Sequence, residues 1–402
     1  MQLEYNSPNL VQRFLLVLFY HQTTRHQPWF ECNPPSTSQG TTSSNLCYGL
    51  DPFEGKPPLH LWGNRWLSQS HECQWAGITC ETVKSKEKQV TWLHMYRNQL
   101  NGPLPWEITL LPELKQLLLA WNMLTGVLPP ELQFQESSPL HFLNLAWNEF
   151  IGTIPARWFE NLNEQSAKLA TLGISSNRLT GTIPSEVGLF PLKELYLENN
   201  TLTGSLPREL FDQTSFQLLN LRNNDLTGIL PSEIVLLTNL QVLKLDHTGI
   251  GGSLHSEIGL LSQLGWIGVT FTNMQGTIPG ELYGLKNLHT FAISNCNFSG
   301  TISSSLGQLT KLSTLHLANN QFHGSLPSEI EALTQLDNLL VNGNNELTGT
   351  VPVSLCQNYF ADEKKSLRFV ADCLPNTQTG VAAIQCTCCT SCCDETGVCL
   401  AS

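Results

Sequence analysis

The residues with chemical potential in this chain are its cysteines and one aspartate–histidine neighbour pair. Eight of the 13 cysteines lie between Cys356 and Cys399, and Cys386-Thr-Cys388-Cys389-Thr-Ser-Cys392-Cys393 has a spacing that suits thiolate zinc as well as disulfides. The tail has no histidine, and cysteines gather at both ends: Cys32, Cys47, Cys73 and Cys80 in front, and Cys356, Cys373, Cys386, Cys388, Cys389, Cys392, Cys393 and Cys399 behind. That distribution points to disulfide-stapled ends in an oxidising compartment, with a metal cluster as the alternative that a free-thiol count would separate. Asp246 and His247 are half of a hydrolytic arrangement. No serine or cysteine nucleophile has a spacing that brings it beside them, so catalysis is not expected. P-loop, dinucleotide, zinc-protease and kinase signatures are absent from the sequence, and no cofactor or metal is expected.

The elements that position side chains come from an internal repeat. A glycine in an L-x-G-x-I-P-like phrase recurs at Gly102, Gly126, Gly152, Gly181, Gly204, Gly228, Gly252, Gly276, Gly300, Gly324 and Gly349, most often 24 residues apart. Upstream of each stands L-x-x-L-x-L-x-x-N, as in Leu192, Leu195, Leu197 and Asn200. Alternating leucines face one side of a short strand, so stacked copies make a parallel sheet over an apolar spine. Asparagine can turn inward and satisfy backbone groups of its own and the neighbouring copy. The expected ladder is Asn98, Asn122, Asn148, Asn177, Asn200, Asn224, Asn320 and Asn344, with Thr248, Thr272 and Cys296 in three consecutive copies. Cys296 is therefore expected to be a buried, inert thiol. The segment after each glycine, as in Ile183-Pro184-Ser185-Glu186-Val187, reads as a helical turn with proline at or near its first position.

The repeat resembles the plant-type leucine-rich-repeat family over about residues 89–355. The resemblance implies an α/β solenoid: a right-handed leucine-rich-repeat superhelix with a parallel β-sheet on its concave face and disulfide-stapled caps. Trp66-Leu67-Ser68 followed by Cys73-Gln-Trp-Ala-Gly-Ile-Thr-Cys80 looks like the family's amino-terminal cap and implies a Cys73–Cys80 disulfide. The Cys-dense tail is similar to that of extracellular repeat proteins of unicellular algae. Residues 1–88 then form the front cap, 89–355 the eleven repeats and 356–402 the back cap, since a solenoid needs closed ends. Within the front cap a helix is expected over 8–22, with Ser7-Pro8 as its start and Phe14–Tyr20 supplying a buried face rather than a membrane span or export signal. Cys32 and Cys47 would tie the loop that follows. Cysteines that imply secretion, with no visible leader, suggest a truncated gene product or a fragment of a longer chain.

Read in columns across the copies, the outward residues form two clusters. Trp92, Tyr96, Trp121, Phe142 and Trp147 make an aromatic patch, and Glu198, Arg222, Lys244, Asp246 and His247 a charged strip in which Glu198, Arg222 and Asp246 are expected to pair across strands. Tyr196 and Phe271 belong to the same face. Exposed aromatics on a rigid sheet suit a binding hot spot, with mutual stacking of Trp121 and Trp147 as the bland alternative. A net charge of −12, with no Lys/Arg run beyond two residues, excludes a phosphate-backbone footprint and so nucleic acid. Asn199 and Asn297 begin glycosylation triplets. The leading expectation is an extracellular, non-catalytic recognition module for a protein, peptide or polysaccharide partner, possibly with a co-receptor, as the resemblance implies. A wall, matrix or adhesion component without a discrete ligand is the alternative.

Overall fold

The computed structural model describes residues 10–24, 46–47, 63–64, 66–67, 71–82, 87–132, 134, 138–160, 168–355, 368–375, 382–394, 396 and 398–401. They fall into two compact units, Met1–Leu202 and Thr203–Ser402. Ser7-Pro8, Cys32 and Cys356 lie outside the described residues, as does the side chain of Cys47, so the expected Cys32–Cys47 tie does too.

In the first unit, three-residue strands stack in parallel with leucines in register: Leu93, Leu117, Leu143, Leu172 and Leu195 pair in succession. These leucines are at most 1% exposed, and so are Leu119, Leu145 and Leu197 two places on, which is the alternation that the repeat demands. A second parallel sheet follows the ladder asparagines through Asn101–Pro103, Met123–Val127, Glu149–Gly152 and Arg178–Gly181. The copies of Gly102, Gly152 and Gly181 then close with a 3-10 turn rather than an α-helical one. Proline stands one residue before the turn, as its extended N-cap: Pro184 (ψ 139°) precedes Ser185–Leu189. The missing N–H of proline costs nothing at that position.

The front of this unit is closed as the sequence requires. Ile78–Thr82 pairs antiparallel with Lys88–His94, and Cys73 and Cys80 form a disulfide. Helix α1 (Leu10–Thr23) buries Leu15, Leu16, Phe19 and Tyr20. Phe14 is 57% exposed, so the expected buried face is narrower than Phe14–Tyr20. Phe19 and Tyr20 meet Trp66, which packs 5.3 Å from Trp75. The buried carboxylate of Glu72 accepts from Gln12 and lies 3.6 Å from Arg13, while Gln12 Oε1 accepts from the Val90 amide. Gly77 has φ +76°, and a Cβ there would stand 2.4 Å from the His94 carbonyl oxygen.

In the second unit the same register runs through Leu219, Leu243, Ile267, Phe291, Leu315 and Leu339. The array does not stop at residue 355. Arg368–Ala371 adds a further parallel strand, with Phe369 opposite Leu339, followed by Ser391–Cys393 in parallel and Cys399–Ala401 in antiparallel pairing. Beyond Asn344, Asp372 accepts from the Gly343 and Asn344 amides at 3.0 and 3.3 Å. Burial pushes its carboxyl pKa up, and those two donors oppose the shift. Cys373–Cys392, Cys386–Cys389 and Cys393–Cys399 are disulfides, and Cys388 is disulfide-bonded as well. The described tail sulfurs are thus all in disulfides, which leaves the alternative of a thiolate metal cluster no free thiolates among them.

The asparagine ladder forms as a two-rung device. Asn148 Nδ2 donates to Leu145 in its own copy and to Leu119 in the copy before, and its Oδ1 accepts from the Leu124 amide at 3.0 Å. Asn177, Asn200, Asn320 and Asn344 repeat the pattern. Thr248 and Thr272 donate only to the leucine or valine carbonyl of their own copy, at 2.7 and 2.8 Å. Cys296 is buried with a free thiol that contacts the Val269 carbonyl and the Thr272 hydroxyl. Burial raises its pKa, which suits an inert thiol.

Candidate functional site: an aromatic pocket on the strand face

The residue before each ladder position adopts the left-handed conformation. In the first unit these are Arg97, Trp121, Trp147, Ser176 and Asn199, with φ between 51° and 59°. In the second they are Asn223, His247, Phe271, Asn295 and Asn319, with φ of 53–57°, and Gly343 at 71°. Asparagine and glycine tolerate this conformation, whereas for a bulky L-residue it costs about 1–2 kcal/mol. The turn forces it, because the chain must reverse between the outward strand and the inward asparagine within one residue. Bulky side chains in this column therefore work against backbone preference.

They stack along the array. The Trp121 and Trp147 rings are 4.2 Å apart and tilted by only 15°, and the Arg97 guanidinium lies 4.2 Å over Trp121. Tyr96 meets the edge of the group at 6.5 Å. A stacked pair is worth about 0.5–1.5 kcal/mol, less than the roughly 2–4 kcal/mol that its two strained backbones cost together, so stability does not explain the tryptophans. Trp121 and Trp147 nevertheless remain 38% and 47% exposed. Stacking and exposure are compatible here, because the rings lie face to face and turn their edges to solvent.

Beside the stack is a pocket of about 370 Å³, wholly within the first unit. Small residues at successive strand positions, Ala120, Ala146, Gly173 and Ser175, make its hollow, and Trp121, Trp147, Phe142, Tyr96 and Tyr196 make its walls. Glu194 and Glu198 line it, with no Lys, Arg or His among the lining residues. The Tyr196 hydroxyl and Thr171 Oγ1 each donate to Glu194 Oε2 at 3.3 Å. The Tyr196 phenol is pushed up to about 12, first by burial and then by the charge of Glu194.

Of the five aromatics grouped from sequence, four line this pocket. Trp92 does not; its ring stacks on His94 at 5.5 Å. Neither the hollow nor Glu194 is among the residues expected from sequence, because small residues in an outward column offer no side-chain chemistry to read. A run of small residues between aromatic columns is the signal that would have shown it.

The charged strip is arranged differently from the expectation. Asp246 Oδ1 accepts from the Thr270 amide and hydroxyl, at 3.0 and 2.7 Å, rather than pairing with Arg222. The Lys244 ammonium lies 4.2 Å over the Trp266 ring, and His247 stacks on Phe271 at 4.3 Å. These cation–π and stacking contacts take the place of an ion-pair ladder because the copies present aromatic faces at rung spacing. Asn199 donates to the Ser176 hydroxyl, whereas the Asn297 side chain is exposed. Among the described residues, no helix is long and apolar enough to cross a membrane.

Residues 191–212, 215–237, 287–309 and 311–333 match the Leucine Rich Repeat family model. Receptor-like protein 41 of Arabidopsis thaliana is 36% identical over 116 residues, 29% of this chain and 13% of that protein. Receptor-like protein kinase 7 of the same plant is 30% identical over 167 residues, 35% of this chain and 16% of that one. The matched regions therefore span less than a fifth of the length of these relatives. The chain is similar to the crystal structure of the Arabidopsis receptor kinase HAESA in complex with the peptide hormone IDA and the co-receptor SERK1. That match has a TM-score of 0.62 and 27% identity, and covers 75% of this chain and 54% of the other. A TDR receptor crystal structure matches with TM-score 0.58 and 28% identity, over 68% and 45% of the two chains.

Fold and matched copies define a leucine-rich-repeat solenoid protein. Its repeats are of the plant type, and it resembles the ectodomains of receptor-like proteins and receptor kinases.

Proposed function

We propose that the protein is an extracellular, non-catalytic recognition module that captures a peptide or protein partner on the strand face of its first unit. The observation that carries this reading is the Arg97–Trp121–Trp147 stack, which is held in a conformation unfavourable for tryptophan, stays partly exposed and borders a pocket. Rigid aromatics beside a hollow are the usual energetic centre of an interface. The preformed strands hold them at little ordering cost. HAESA, to which the chain is similar, forms a complex with a peptide hormone and a co-receptor, and that likeness supports a peptide partner.

Tyr96 and Tyr196 act as further anchors. Arg222, Lys244, Asp246, His247 and Phe271, all in the second unit, form a second candidate cluster of their own. The test is affinity capture from extracellular medium, on full-length protein and on the double variant Trp121→Ala/Trp147→Ala. Capture is expected to fall at least about 100-fold, as loss of two hot-spot aromatics implies. Equal capture by both proteins, with melting temperatures matched, would remove the site.

A further inference from the structure

Resting on the reading of this face as a peptide-binding surface, we propose that the pocket accepts the cationic side chain of an arginine or lysine of the bound peptide.

Charge decides between occupants. The lining carries two carboxylates, Glu194 and Glu198, and no cationic residue. The hydrogen bonds that reach Glu194 come from the neutral hydroxyls of Thr171 and Tyr196, both long at 3.3 Å, so its negative charge is oriented but not neutralised by them. A neutral sugar or an apolar side chain seated there would strip water from these carboxylates and offer no countercharge, which is costly. A carboxylate ligand would add repulsion. A guanidinium or ammonium removes the penalty instead, and an aromatic lining that includes Phe142 and Tyr196 suits a desolvated cation. The chain already uses this contact, with Arg97 over Trp121 and Lys244 over Trp266, each at 4.2 Å. The raised Tyr196 phenol, driven by burial and by Glu194, marks the hollow as poorly solvated and negative. At about 370 Å³ the hollow lies at the small end of ligand pockets, which fits one long side chain better than a run of sugar rings.

The experiment titrates full-length protein with Nα-acetyl-arginine methylamide and with its neutral isostere Nα-acetyl-citrulline methylamide, following tryptophan fluorescence. The arginine probe is expected to saturate at roughly ten-fold lower concentration. Glu194→Gln with Glu198→Gln should bring the ratio close to one while leaving the melting temperature unchanged. A check that needs no variant is ionic strength, which should weaken the arginine probe several-fold between about 20 and 500 mM salt and leave citrulline unaffected. Equal affinities for the two probes, or no saturable response to arginine, overturn the proposal. If capture still depends on Trp121 and Trp147 in that case, the peptide-binding reading stands and only the charge selectivity fails; if capture is indifferent to the tryptophans, both fail.

Discussion

Replacing Asn148 by alanine tests whether the ladder holds the solenoid together. The carbonyls of Leu119 and Leu145 each accept from two ladder amides: Leu119 from Asn122 and Asn148, Leu145 from Asn148 and Asn177. Each therefore keeps one partner when Asn148 is truncated. The Leu124 amide does not, because Asn148 Oδ1 is its acceptor and Leu124 is fully buried. An orphaned buried donor costs about 1–3 kcal/mol, and the lost carbonyl bonds add roughly 1 kcal/mol, so the expected destabilisation is about 2–4 kcal/mol. Asn148→Thr should be milder by about 1 kcal/mol, since Thr248 and Thr272 show a hydroxyl serving the carbonyl of its own copy while not reaching the preceding one. Urea unfolding followed by circular dichroism gives the totals, and hydrogen exchange at the Leu124 amide gives the local effect. A loss below about 0.5 kcal/mol, or unchanged protection at Leu124, would refute the accounting.

Three further outcomes follow from the same geometry. Trp121→Asn relieves about 1–2 kcal/mol of backbone strain and forfeits a stack and a cation–π contact of similar worth, so thermal stability should move by less than about 1 kcal/mol. A large destabilisation on calorimetry would mean that the tryptophans are structural after all. Gly77→Ala forces a Cβ to within 2.4 Å of the His94 carbonyl oxygen at φ +76°, and should cost at least about 2 kcal/mol and loosen the front cap, read by limited proteolysis. Burial holds the His316 imidazole below its ordinary 6.5, so the folded state resists protonation: stability is full above that value and declines as pH falls through it. Stability curves of the parent and His316→Gln should converge toward acid pH, and parallel curves would count against the burial of His316.

The repeat was legible because its residues answer to local rules. Leucine spacing, inward asparagines and a buried Cys296 follow from a strand period of two and from the demand that buried polar groups be satisfied, while the Cys73–Cys80 pair was implied only by the resemblance of the front cap. Column positions were legible too, since a constant repeat length makes sequence offset equivalent to lateral position. The end of the array was not: Phe369 continues the leucine register, but Leu374 stands where asparagine is expected, and the segment between the last copy and Phe369 breaks the spacing.

Sequence alone therefore determined the solenoid, its ladder and which side chains share the strand face, because each depends on interactions repeated between adjacent copies. Only the tertiary structure decided how those side chains use the space. The left-handed turn that sets Trp121 against Trp147, the hollow left by Ala120, Ala146 and Gly173, and the choice of Thr270 over Arg222 by Asp246 arise from angles and distances across several copies. Side-chain directions at that range depend on backbone conformation and packing, which residue spacing does not encode.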